Sequence, residues 1–220
     1  MNKTIELVNH WGDFEKKHPD GDIADFCRYY LAHQNKKQDN DGTLVGGVVP
    51  PLSDGLLMKI IGRISKLNMA YANIALKGTE LNQIEEFGIL QTIKKEKNPK
   101  KTEVIYANLF ELSSGTDMLN RMKKRGLIKE YADKEDKRSK RIVLTAKGEK
   151  VITVSTERIE KNAIMLMNDL AEEDKALCIQ FLKNIEIKFS ALWQKHKGKA
   201  FEDIYKELMT GTKERKSASR

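Results

Sequence analysis

The stretch from Leu127 to Leu144 constrains the fold more than any other part of the chain. Leu127-Ile128-Lys129-Glu130-Tyr131 and Arg141-Ile142-Val143-Leu144 read as two strands. Residues 132–140 between them are polar after Ala132 and too many for a two-residue turn. A polar excursion between paired strands is a wing. Upstream, a short helix runs through Met118, Leu119 and Met122 to Gly126, with Ser113 or Ser114 as its N-cap and the glycine as its C-terminal stop. Downstream, Thr145 caps another helix.

Charge gathers on this element. From Arg121 to Lys150 there are twelve basic and five acidic residues, a net of +7, against +8 for all 220 residues. The rest of the chain is therefore nearly balanced, and the basic character is local. Duplex DNA, with about one charge per 1.7 Å of axis, rewards such a patch through counterion release. A helix entering the major groove contacts bases with its N-terminal residues. Ser113, Ser114, Gly115 and Thr116 open this one, offering small hydroxyls and backbone N–H groups to phosphates or base edges. Asn120, one turn on, can read a base edge, and Lys123 and Lys124 follow it. Met118, Leu119 and Met122 read as core.

The remaining chain reads as helices. Residues 3–34 carry Ile5, Val8, Trp11, Phe14, Ile23, Phe26 and Tyr30 at helical spacing, broken by His18-Pro19-Asp20-Gly21. A polar linker follows over 35–47, with a loosely glycine-rich part at 42–47, and Val48-Val49-Pro50-Pro51 reads as extended. A long helix with Ser53 or Asp54 as cap carries Leu57, Ile60, Ile61, Ile64, Leu67 and Tyr71, and ends at Gly78-Thr79. Another spans 81–95 and stops at Asn98-Pro99, and a short one spans 101–109. Beyond the wing, one helix passes through Val151, Ile159 and Met165. The next carries Leu177, Phe181, Ile185, Phe189 and Leu192 as an i,i+4 ladder. A short helix at 199–209 and a frayed tail at 210–220 complete the chain.

At this point the sequence resembles a known family. Asp136-Lys137-Arg138-Ser139-Lys140-Arg141-Ile142-Val143-Leu144-Thr145-Ala146-Lys147-Gly148 looks like the wing signature of the MarR family of bacterial transcriptional regulators. Leu119-Asn120-Arg121-Met122-Lys123-Lys124-Arg125-Gly126-Leu127-Ile128 is similar to that family's recognition-helix end and first strand. The resemblance covers roughly Leu56 to Leu192.

It implies a mainly α fold with a small β-wing, a winged helix-turn-helix, and a helical dimerisation region formed by N- and C-terminal helices. The expected divisions are 1–52 (helical extension and linker), 53–96 (helices leading into the DNA-binding lobe), 97–148 (winged helix-turn-helix), 149–196 (dimerisation helices) and 197–220 (short helix and tail). It implies a homodimer on double-stranded DNA, held by Leu177, Phe181, Ile185, Phe189 and Leu192. Arg138 would enter the minor groove from the wing tip, oriented by Asp136, with Lys137, Lys140 and Arg141 facing phosphates. A small-molecule effector pocket is a further implication, with Tyr71 and Phe87 as aromatic candidates that also read as core. Two features depart from the family. Gly115 stands where many relatives carry a bulkier residue, and the zone before Ser53 is longer than the usual lead-in. That zone could add to the dimer interface, cover the ligand cleft or serve another partner.

Other chemistry finds little support. His10, His18, Cys27 and His33 match no metal-ligand spacing, and no cofactor is expected. Cys27 reads as a buried inert thiol and Cys178 as core. The chain has no nucleophile elbow and no phosphate-cradling glycine loop, so no enzyme is expected. The N-terminus is too polar for a signal peptide and no apolar run reaches about 18 residues, so the expectation is a cytoplasmic protein with no membrane partner. The rival reading is a winged-helix protein-interaction module whose basic wing binds an acidic protein.

Overall fold

The computed structural model describes residues 2–35 and 50–217. The expected linker, including the glycine-rich part at 42–47, falls almost wholly outside the described residues, as do the last three residues. The chain forms two compact units, Met1–Lys59 and Ile60–Arg220.

In the first unit, α1 (Lys3–Lys17) and α2 (Ile23–Asn35) form a helical hairpin around the break at His18-Pro19. Phe14 and Phe26 are buried, with Trp11 and Tyr29 around them at ring-centroid distances of 5.1 to 5.8 Å. Only the Phe14 end of the α1 stripe is covered; Ile5, Val8 and Ile23 are exposed. Cys27 is exposed too, contrary to the sequence expectation. Phe26 and Tyr30, four residues apart, share the inner face, and Cys27 is rotated about 100° from Phe26.

The second unit takes up α3 (Ser53–Ala75) from its eighth residue. It continues with α4 (Ile84–Glu96), α5 (Lys101–Ala107), α6 (Leu112–Lys124), β1 (Ile128–Ala132), β2 (Lys140–Leu144), α7 (Ala146–Leu166), α8 (Glu172–His196) and α9 (Phe201–Ser217). Helix α4 packs on α5, α7 and β2, and α6 packs on α5 and β1. Ile89, Leu90 and Ile93 of α4 meet Val104, Ile105, Met118, Leu119, Met122, Leu127, Ile142 and Ile152 in one buried cluster. The strands pair antiparallel, Ile128 opposite Leu144 and Ala132 opposite Lys140. Met118, Leu119 and Met122 are core as read from sequence. Helix α9 extends well into the segment expected to fray. Glu207 ties it back to Lys195 and Lys199 at 2.5 and 2.9 Å, and these lysines hold its carboxyl down at about 2.

The junction after β2 is built from short side chains. Thr145 caps α7 by accepting the Gly148 N–H at 3.0 Å, and its own N–H bonds the Leu127 carbonyl at 3.1 Å. Gly148 is buried against that carbonyl, where a Cβ would lie 2.1 Å from the oxygen. Gly126, at φ +74°, ends α6 in the left-handed region and turns the chain into β1.

Among the described residues no helix is long and apolar enough to cross a membrane, and no group of three or more His, Cys, Asp or Glu side chains could hold a metal ion.

Candidate nucleic-acid interface

Helices α5 and α6 meet through a tight turn at Leu109, whose φ is +59°. Helix α6 starts at Leu112 with Glu111 as N-cap and no side-chain cap, so Ser113 and Ser114 lie inside the first turn rather than capping it. The Ser114 hydroxyl donates back to the Glu111 carbonyl at 3.1 Å. Gly115 faces inward, not toward solvent. A Cβ there would lie 2.7 Å from Ile105 Cγ2, so the missing side chain permits the α5–α6 crossing. This corrects its placement among groups offered to DNA.

The outward face of α6 carries Ser113, Asp117, Asn120 and Lys124, with Thr116 and Arg121 at its margins. Spacings of four, three and four residues keep these four on one stripe about 16 Å long. Among the described residues, the side chains of Ser113, Asp117, Asn120 and Lys124 have no hydrogen-bond or ion-pair partner. Asp117 and Arg121 were not singled out from sequence, although they fall on the stripe through Asn120 by simple helical spacing.

The wing is held by its own carboxylates. Asp133 is buried, accepts the Glu135 N–H at 2.9 Å and pairs with Arg141 Nε at 2.5 Å. The Glu135 N–H and then the Arg141 contact hold its carboxyl below the usual range despite burial. Arg141 also donates to the Asn98 carbonyl at 2.7 Å, and the Ile142 N–H to the Pro99 carbonyl at 3.1 Å, so the wing's second strand is anchored to the segment before α5. Arg141 is thus an internal anchor and not a phosphate-facing charge, because the hairpin register brings Asp133 within its reach. Asp136 accepts the Arg138 N–H at 3.1 Å and the Ser139 hydroxyl at 2.6 Å, and these bonds lower its carboxyl. It orders the backbone of the tip turn and touches no guanidinium, since a short Asp side chain reaches the backbone two residues on more easily than a distant side chain. Lys137 and Arg138 occupy the turn, exposed, and their side chains have no hydrogen-bond or ion-pair partner among the described residues.

A further carboxylate arranges the lysines behind these surfaces. Glu130 on β1 is nearly buried and faces Lys123 of α6 at 2.8 Å, and Lys101 of α5 and Lys140 of β2 at 3.6 Å each. Burial is the largest single influence and opposes ionisation. The Lys123 hydrogen bond and the three lysine charges together outweigh it and hold the carboxyl below its usual value. Three cations around one carboxylate leave a local excess of positive charge where α5, α6 and the wing converge. At the end of α6, Arg125 pairs with the buried Glu86 at 2.5 Å and fixes the helix to α4.

The residues assigned to dimerisation lie on α8. In the single chain Phe181, Ile185 and Phe189 are about half exposed (51%, 51% and 47%), while Leu177 and Leu192 are partly covered. Cys178, read as core, is exposed. Tyr71, read as core, is 45% exposed on α3, whereas Phe87 packs against the buried cluster.

A helix-turn-helix followed by a two-stranded wing is the architecture of a winged helix domain, and residues 84–148 match the model of a winged helix DNA-binding domain. Several solved structures share the wider fold. A mutant MarR from E. coli, complexed with operator DNA, is 19% identical, covering 59% of this chain and 92% of that one at a TM-score of 0.55. PcaV from Streptomyces coelicolor, in complex with its natural ligand, is 15% identical, covering 65% and 97% at 0.54. BpsR from Bordetella bronchiseptica, whose DNA binding is regulated by 6-hydroxynicotinic acid, is 15% identical, covering 59% and 98% at 0.55. The chain therefore has the fold of the MarR-type winged helix regulators. No curated protein matches its sequence.

Proposed function

We propose that this protein is a MarR-type transcriptional regulator that binds duplex DNA as a homodimer on a pseudo-palindromic operator. The observation that carries this reading is the union of the unpartnered polar stripe on α6 with the exposed Lys137 and Arg138 at the wing tip, both on a match to a DNA-binding domain. In this reading Ser113, Thr116, Asn120 and Lys124 face the major groove and Arg138 the minor groove. Lys123 and Lys140, gathered at Glu130, face phosphates beside Lys137. The half-exposed Phe181, Ile185 and Phe189 supply the interface between protomers. Complexes of similar folds with operator DNA and with small ligands support a repressor released by a ligand or signal. Its place of action is the cytoplasm, and its role requires no catalysis.

The test is selection from a genomic fragment pool, followed by a footprint on the fragments recovered. The reading expects two related half-sites about one helical turn apart. Recovery of no enriched fragment would overturn it, and would turn attention to an acidic protein as the partner of the wing.

A further inference from the structure

Asp117 is the anomaly of the DNA-facing surface. It is exposed near the middle of the α6 stripe, between Ser113 and Asn120, four residues before the basic run that begins at Arg121. Nothing in the fold accounts for it. As the sixth residue of α6 it lies beyond the first turn, where a carboxylate gains from the helix dipole. Aspartate is also among the poorer helix formers at interior positions. Arg121, one turn on, has the spacing of an i,i+4 partner, yet no ion pair forms between them. Facing a polyanion, the charge opposes binding to every sequence alike. It becomes favourable only where a hydrogen-bond donor meets it.

The major groove offers such donors at two bases. Guanine presents O6 and N7 and thymine presents O4, all acceptors, so both repel a carboxylate. Adenine presents its N6 amino group beside the N7 acceptor, a pattern that suits an amide and opposes the second carboxylate oxygen. Cytosine presents its N4 amino group alone, which suits a carboxylate. Resting on the regulator reading above, we infer that Asp117 is a specificity-determining residue that accepts a hydrogen bond from cytosine N4 in each half-site. The operator then carries a C·G pair at one fixed position per half-site, next to the bases reached by Asn120.

The experiment selects duplexes from a randomised pool with the full-length protein, Asp117→Ala and Asp117→Asn, each first matched to wild type by circular dichroism. Wild type is expected to select a motif with a C·G position in each half-site. Asp117→Ala should lose the preference at that position alone, a fall of roughly 5- to 150-fold in discrimination, and bind unrelated duplex no more weakly. Asp117→Asn should shift the same position toward A·T. A wild-type motif selected unchanged by both variants overturns this inference and leaves the regulator reading intact. Loss of binding to all duplexes in Asp117→Ala also overturns it, since a structural role would then be the cause. Failure of wild type to select any motif overturns the regulator reading and this inference with it.

Discussion

Replacing Gly148 by alanine probes the junction that sets the wing against α7. The new Cβ would sit 2.1 Å from the Leu127 carbonyl oxygen and 3.1 Å from its carbon. Both are backbone atoms, so no rotamer change relieves the contact, and the start of α7 must withdraw by about 1.3 Å to restore ordinary van der Waals distances. Overpacking of this kind costs about 1–3 kcal/mol. The withdrawal also strains the bonds that the Leu127 carbonyl accepts from the Thr145 N–H at 3.1 Å and hydroxyl at 3.2 Å, each worth about 0.5–1.5 kcal/mol. Alanine returns up to about 1 kcal/mol of helix propensity. The net expectation is a loss of about 3 kcal/mol. With an m-value of about 2 kcal/mol/M, the urea midpoint falls by about 1.5 M at fixed protein concentration, followed by far-UV circular dichroism. Gly62→Ala in α3 is the control: its Cβ meets nothing within 4 Å, so the midpoint should hold or rise. A Gly148→Ala midpoint at or above wild type would refute the close-approach argument.

Three other outcomes follow from the same geometry. Arg125→Met leaves the buried Glu86 carboxylate without its cation and should destabilise the protein by about 3–5 kcal/mol in urea unfolding; a change under about 1 kcal/mol would show that the pair is dispensable. Glu130→Gln should be less stable than wild type at pH 7 and converge with it in acid. The folded carboxyl lies below its unfolded value of 4.5, so its contribution is full above about pH 4.5 and disappears as pH falls through the lowered value; a gap that does not narrow as the pH falls below 4.5 contradicts this. Ile185→Asp with Phe189→Asp should convert a dimer to a monomer in light scattering and weaken DNA binding, whereas a dimer surviving both changes refutes the α8 interface.

The parts of the fold visible in sequence are those fixed by local pattern. The strands, the Gly126 stop and the Thr145 cap each depend on a few neighbouring residues, and they stand where the sequence places them. The start of α6 is different, because serines are good caps and the Leu109 turn gives no comparable signal, so nothing in the sequence marks Glu111 as the N-cap. The inward direction of Gly115 was legible in principle: it stands three, four and seven residues before Met118, Leu119 and Met122 and shares their face. The internal roles of Arg141 and Asp136 were not legible, since they depend on the hairpin's register and on the shape of its tip turn. Cys178 was misplaced for another reason. An apolar ladder such as that of α8 signals burial without saying whether the cover is the same chain or a partner.

In the proposed function the α6 stripe and the wing tip together form a DNA-binding surface. Fluorescence anisotropy of a labelled duplex over a salt series tests it most directly, comparing wild type with Lys124→Ala, Arg138→Ala and Lys140→Ala. The account predicts that log K falls linearly with log salt for wild type, and that Lys124→Ala and Lys140→Ala weaken binding and each reduce the slope by about one. Arg138→Ala should weaken binding most on duplexes with A·T-rich flanks. Affinity and slope unchanged in all three variants would contradict the account.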